Sequence, residues 1–168
     1  MRKNRGFTLI ELIVVIIILG VLAVTAAPKF VDVSADARIA VVKAEASALK
    51  SALNLARNKW LLLGSPSDKD SRNDVQLWGS GEDGQIDFNV QGWPAQSYSG
   101  SDQVLTADSA DDCLSLYIAL IEGGAAKADR SDTKTYQVTH PGDCAYALVA
   151  DNSLGFYYNP LTGSVTLF

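Results

Sequence analysis

Hydrophobic positions fall into three regimes along this chain. Residues 7–27 are apolar at every position except Thr8, Glu11, Gly20 and Thr25. As a helix these 21 residues reach roughly 31 Å at ~1.5 Å per residue, against a bilayer hydrocarbon core of about 30 Å. The run can span a membrane. Pro28 follows at once; it deletes a backbone donor and crowds the carbonyl four residues earlier, so a kink or a melted turn is expected there. Beyond it the pattern changes period. Ile39, Val42, Ala46, Leu49, Leu53, Ala56 and Trp60 recur at spacings of three and four, which predicts an amphipathic helix with one apolar stripe. Arg38, Lys43, Glu45, Lys50, Arg57 and Lys59 occupy its other faces.

The third regime is punctuated. Residues 64–74 carry turn chemistry and predict an exposed loop without a stable element. Ile86, Phe88 and Val90 alternate with polar residues and predict a short strand. Ser109 followed by acids opens a predicted helix over 113–122, with Gly123-Gly124 as its stop. Residues 133–139, 144–150, 154–158 and 164–168 are β-branched and aromatic runs joined by short turns, which implies antiparallel neighbours. The predicted fold is α+β: a long N-terminal helix, half membrane-spanning and half amphipathic, packed on a C-terminal antiparallel sheet of about four strands. The segments are a leader at 1–6, the apolar helix at 7–28, its amphipathic half at 29–62 and a globular head at 63–168.

Charge gives the apolar helix a direction. Arg2, Lys3 and Arg5 precede it with no acid among them, so the positive-inside rule keeps the N-terminus in the cytoplasm and sends the rest across. A secretory signal peptide is the alternative, with a cleavage site among the small residues 23–27. Glu11 argues against it, because a carboxylate at the centre of a membrane helix costs about 2.5–3.5 kcal/mol. Two readings of Glu11 are compatible: Thr8 and Glu11 form a capping box with Phe7 and Leu12 as its staple, and the carboxylate pairs with a cation on another chain.

The net charge of −5 argues against a protein built to neutralise nucleic-acid phosphates. One histidine and two cysteines leave too few ligands for a zinc site, and no cofactor fingerprint is present. The topology puts Cys113 and Cys144 outside the cytoplasm, where a disulfide is the expected state and two buried thiols the alternative.

The string Arg5-Gly6-Phe7-Thr8-Leu9-Ile10-Glu11, with its aliphatic run and Pro28, resembles the N-terminal signature of type IV pilins and of the related type II secretion pseudopilins. The short leader and Phe7 resemble the IVa subclass. The resemblance implies cleavage between Gly6 and Phe7 by a prepilin peptidase, N-methylation of Phe7, and pairing of Glu11 with the free amine at Phe7 of a neighbouring subunit. It also implies the pilin fold. A C-terminal cysteine pair is commoner in pilins than in pseudopilins, and Cys144-Ala145-Tyr146 with the run from Phe156 to Val165 is most similar to the mannose-sensitive haemagglutinin group. The implied partners are further copies of the chain and other pilins, the peptidase, and an inner-membrane assembly platform, with a filament outside the cell as the product.

Other candidates are weaker. His140 sits in an evident turn, His140-Pro141-Gly142-Asp143, rather than in a triad. The run from Gly81 to Asp87 offers three carboxylates to calcium but lacks the EF-hand spacing. Trp78, Trp93 and Tyr98 are core aromatics or, if exposed, platforms for a glycan or another subunit. Losing the leader's three cations takes the formal charge from −5 to −8, so nucleic acid is not an expected partner unless Lys127 and Arg130 form a basic patch. No enzyme is indicated. A secretion pseudopilin, and a non-polymerising membrane protein with a binding head, are the competing functions.

Overall fold

α1 (Leu9–Leu62) organises the computed structural model, which describes residues 7–81, 84–97 and 106–168, with the backbone alone at 27, 28 and 30–32. Two compact units are present, Met1–Ala40 and Val41–Phe168. In the first, α1 is helical without interruption through Pro28. The expected melted turn is therefore not formed: a proline forfeits one bond of the ladder, and the apolar run on one side and the alanine-rich segment on the other keep the helix propagating.

The second unit is the folded head together with the amphipathic half of α1. Six of the seven predicted stripe positions, Val42, Ala46, Leu49, Leu53, Ala56 and Trp60, are buried in one core cluster; Ile39, in the other unit, is exposed. Leu49 and Leu53 retain no exposure at all. After α1 the predicted loop instead contains one helical turn, α2 (Lys69–Arg72), because Asp68 caps it by accepting from the Ser71 amide at 2.9 Å. Arg72 is drawn inward and donates to the Phe88 carbonyl at 2.8 Å.

A small antiparallel sheet follows in the order β1 (Val75–Gln76), β2 (Gln85–Phe88), β3 (Pro94–Gln96). The predicted alternation fails at its end: β2 stops at Phe88, and Val90 lies exposed in the turn beyond it. Asn89 explains the stop, since its Oδ1 accepts from the Gln91 and Trp93 amides and closes a turn.

α3 (Ala110–Leu120) begins where the sequence places it, with a complete capping box between Ser109 and Asp112. It ends at Leu120, earlier than expected. The left-handed Gly123 starts a separate turn, α4 (Gly124–Lys127). The main sheet has five strands in sequence order: β4 (Ala128–Asp129), β5 (Tyr136–Thr139), β6 (Cys144–Leu148), β7 (Gly155–Asn159) and β8 (Ser164–Leu167). β5 to β8 form the predicted antiparallel meander; the two-residue β4 adds a parallel edge. The period-2 pattern sends Tyr136, Val138, Cys144, Tyr146, Leu148, Phe156 and Tyr158 into the core.

The β7–β8 turn is locked from both sides. Asn159 Oδ1 accepts from the Leu161 and Thr162 amides, and Gly163 lies at φ +72° with its Cβ position 2.2 Å from the Trp93 ring, so only glycine fits.

Four buried tyrosines knit the core. Tyr117 donates to Glu45 Oε1 at 2.5 Å, Tyr146 to the Cys113 carbonyl at 2.8 Å and Tyr158 to the Pro94 carbonyl at 2.7 Å, while Tyr136 packs edge-on to Phe156. Lys127 Nζ reaches Glu45 at 3.1 Å, so Glu45 clamps α1 to both α3 and α4. Burial, and then the Glu45 charge, pushes the Tyr136 hydroxyl up to about 12, and burial raises the other three as well. Unfolded tyrosine ionises near pH 10, so this stability is intact below that value and is lost as pH rises from 10 through 12. In an alkaline titration of the solubilised chain, tyrosinate absorbance from these four should appear together with loss of near-UV dichroism. Their ionisation near pH 10 with the dichroism retained would contradict the packing.

Candidate functional site

The N-terminal unit carries the most unusual chemistry. Residues Leu9–Ala26 have a mean hydropathy of 3.0 and none of their side chains is buried. Phe7, at the start of the described chain, is almost fully exposed. An apolar helix left bare along its length is stable only in lipid or against other helices. Its two hydroxyls are satisfied locally: Thr25 Oγ1 donates to the Leu22 carbonyl at 3.0 Å, and Thr8 belongs to the capping arrangement.

That arrangement follows the sequence. The Thr8 amide and the Thr8 hydroxyl both donate to Glu11 Oε2 at 2.8 Å, and the Glu11 amide donates to Thr8 Oγ1 at 3.3 Å. Both contacts converge on one carboxylate oxygen. Oε1 has no hydrogen-bond partner among the described residues, and the carboxylate forms no ion pair among them. Gly6, the expected cleavage residue, lies outside the described residues.

Cys113 and Cys144 form a disulfide with their Cα atoms 5.4 Å apart. Cys113 is in the first turn of α3 and Cys144 opens β6, so the bond pins the helix to the middle of the main sheet; both residues are fully buried. No cysteine is free.

The weaker candidates resolve into structural roles. Asp87 is buried at the end of β2, where its Oδ1 accepts from the Asp74 amide at 2.6 Å; Glu82 and Asp83 of the same acidic run lie outside the described residues. His140 follows β5 in the turn to β6. Lys127 pairs with Glu45, and Arg130 pairs with Asp111 at 2.8 Å, so each cation of the suspected basic patch faces a carboxylate. Trp93 is half-buried under the Arg57 guanidinium, 4.0 Å from its ring centroid; Trp78 is exposed, and Tyr98 lies outside the described residues.

A second apolar face of α1 is hidden behind the core stripe in the sequence. Val41, Ala44, Ala48, Leu55 and Leu62 form a second apolar stripe, and all five are exposed. Its signal is the seven-residue spacing of Val41, Ala48, Leu55 and Leu62, masked by the stronger core stripe beside it. The C-terminal end of this stripe forms one wall of an apolar groove of about 470 Å³, closed on the other side by Leu77, Trp78, Ala119 and Leu120.

A membrane-length apolar helix carrying one carboxylate, in one chain with a disulfide-pinned α+β head, defines a class of anchored subunit whose apolar helix needs lipid or other helices around it. Comparison with known proteins narrows the class. A family described as the prokaryotic N-terminal methylation motif matches residues 1–27. A fimbrial protein of Pseudomonas aeruginosa is 31% identical over 121 residues, 71% of this chain and 70% of that protein. The type IV narrow pilus major component PilA5 of Thermus thermophilus is 50% identical over 54 residues, 32% of this chain; the match spans only 47% of that protein. The type II secretion system core protein G of Pseudomonas aeruginosa is 39% identical over 54 residues, 32% of this chain and 38% of that protein. No solved structure matches. The chain belongs to the type IV pilin family.

Proposed function

We propose that this chain is a structural subunit of a type IV pilus. It is made as an inner-membrane precursor with its head in the periplasm, cut between Gly6 and Phe7 by a prepilin peptidase and N-methylated at Phe7. An inner-membrane assembly platform then polymerises it through α1 into a surface filament used in adhesion or biofilm formation. The observation that carries the reading is the bare helix Leu9–Ala26, whose apolar surface needs lipid before assembly and neighbouring helices after it. The second stripe, from Val41 to Leu62, gives the head unit an exposed apolar surface of its own. Pro28 bends the helix where the apolar run ends.

Glu11 sets the stagger between subunits. Its Oε2 is held by Thr8, which fixes the rotamer, and its Oε1, without a partner among the described residues, is the atom offered to the amine at Phe7 of a neighbour. Inside an apolar bundle such a pair is strongly attractive, and leaving either charge unpaired costs several kcal/mol.

Two facts favour a pilus over the type II secretion pseudopilin reading. The fimbrial relative covers 121 residues where the secretion relative covers 54, and the head is closed by Cys113–Cys144. The run from Phe156 to Val165 supports placement beside the mannose-sensitive haemagglutinin group, with a surface glycan as the ligand class. The test is whether filaments sheared from the native host consist of this chain beginning at Phe7.

A further inference from the structure

The head carries an apolar hollow on one flank of α1 and an apolar projection on the other. The hollow is the groove between α1 and the end of α3: Leu55 and Leu62, 72% and 84% exposed, line one side and Leu77, Trp78 and Leu120 the other, with Lys59 the one charged residue in the lining. The projection is a pair of turns, 89–92 and 160–163, tied together where Asn89 Nδ2 donates to the Pro160 carbonyl at 2.5 Å. Val90 and Leu161 stand at their tips, 69% and 59% exposed. Neither turn contains a charged residue, in a chain that is 20% charged. Charge depletion around exposed apolar side chains marks the centre of a contact surface rather than solvated loops.

Helical geometry places the two on opposite flanks. The projection is fixed to α1 through Arg57, which lies over Trp93, through the Trp93 ring against Gly163, and through Trp60 against Gly92. At about 3.6 residues per turn, Leu55 and Leu62 lie roughly 140–160° around the helix from Arg57. One copy therefore presents a projection and a hollow at the same level of the helix, facing apart. A hollow and a projection of different residues cannot satisfy each other through a two-fold axis; they join head to tail, and such contacts propagate as open helices when the rotation does not close.

We propose that the groove beside Leu55 and Leu62 receives the Val90–Leu161 projection of a second copy of this chain, a lateral, heterologous contact between globular heads distinct from packing of the apolar helices. The occupant is another copy because the groove continues the exposed stripe of α1 that assembly must cover, and because its uncharged counterpart is on the same molecule. This rests on the pilus reading.

The test uses the full chain in its native host with Leu55→Cys and Leu161→Cys combined, and as a second pair Leu62→Cys with Val90→Cys. Both native cysteines are in the disulfide, so the introduced thiols are the reactive ones. A short bismaleimide applied to sheared filaments should give a ladder of dimers, trimers and higher multimers from either double variant, and monomer from each single variant. Filaments of both double variants without a ladder, or a single-cysteine variant that gives dimer, would overturn the contact while leaving the pilus reading in place. Leu161→Glu, at an exposed turn tip, should reduce filament yield about tenfold or more with the head still folded by near-UV dichroism; unchanged yield overturns the proposal. If the unmodified chain forms no surface filaments, the pilus reading itself falls, and the contact with it.

Discussion

Replacing Glu11 with alanine should leave the precursor inserted in the inner membrane and reduce surface filaments by about tenfold or more, the consequence of losing ~1.4 kcal/mol or more per subunit contact. Insertion should not suffer, because the substitution removes a carboxylate that itself costs about 2.5–3.5 kcal/mol in a membrane helix. The helix loses its capping acceptor, worth roughly 1 kcal/mol, but the apolar run beyond it is long enough to hold the helical state in lipid.

Glu11→Gln separates the two roles of the side chain. Glutamine retains an acceptor for the Thr8 amide and hydroxyl, which in the structure meet one oxygen, yet it carries no charge to offer an ammonium group. If capping is the whole function, the glutamine chain assembles normally. If pairing with the Phe7 amine sets the stagger, it fails as the alanine chain does. We expect failure in both, read by counting filaments in sheared fractions against precursor in membranes; normal assembly of the glutamine chain would contradict the pairing.

The second large effect concerns the head. Removing the disulfide with paired Cys113→Ala and Cys144→Ala substitutions should cost about 3.5–4 kcal/mol on the loop-entropy estimate, given a separation of 31 residues. The bond ties the first turn of α3 to the first residue of β6, and both ends are fully buried; the hydrogen bond from Tyr146 to the Cys113 carbonyl joins the same two elements but leaves the unfolded chain unconstrained. The loss is a large share of a typical domain's ~5–15 kcal/mol. For a unit of this size it corresponds to a fall in Tm of about 10–20 °C. Thermal unfolding of the solubilised chain, run with and without the substitutions, checks it. A change of a degree or two would mean that the bond constrains the unfolded chain far less than its span suggests.

How much of this could be read from residues alone depended on how local the determinants are. The meander β5–β8 was legible because alternation along each strand and short polar turns between strands are local signals, and Tyr146 and Phe156 lie opposite each other as such a meander requires. The core stripe of α1 was legible for the same reason; its repeat survives from Val42 to Trp60. The small sheet was not. β1 and β3 are two and three residues long, and what fixes them is tertiary: Arg72 turned inward to the Phe88 carbonyl, and Asn89 ending β2 one residue before the alternating Val90. Pro28 is the opposite case: a local breaker through which the helix runs on, so that of the kink or melted turn expected there the melted turn is not formed.

The candidate site divides along the same line. The Thr8–Glu11 box and the cysteine pair are written in spacing and topology, and the structure holds both. The suspected basic patch is different: Lys127 and Arg130 are neighbours in sequence, but Glu45 and Asp111, which neutralise them, come from distant segments. The groove under Trp78 is equally non-local, since its walls come from α1, the segment after β1 and the end of α3.

The central claim is that this chain is processed at its N-terminus and then built into a filament, and the intact mass of the subunit tests it most directly. Filaments sheared from the native host should yield a species that begins at Phe7, one methylene heavier and two hydrogens lighter than the unmodified, reduced chain. The same processed species confined to the membrane fraction, or a form in sheared material still carrying Met1 and its leader, would contradict it.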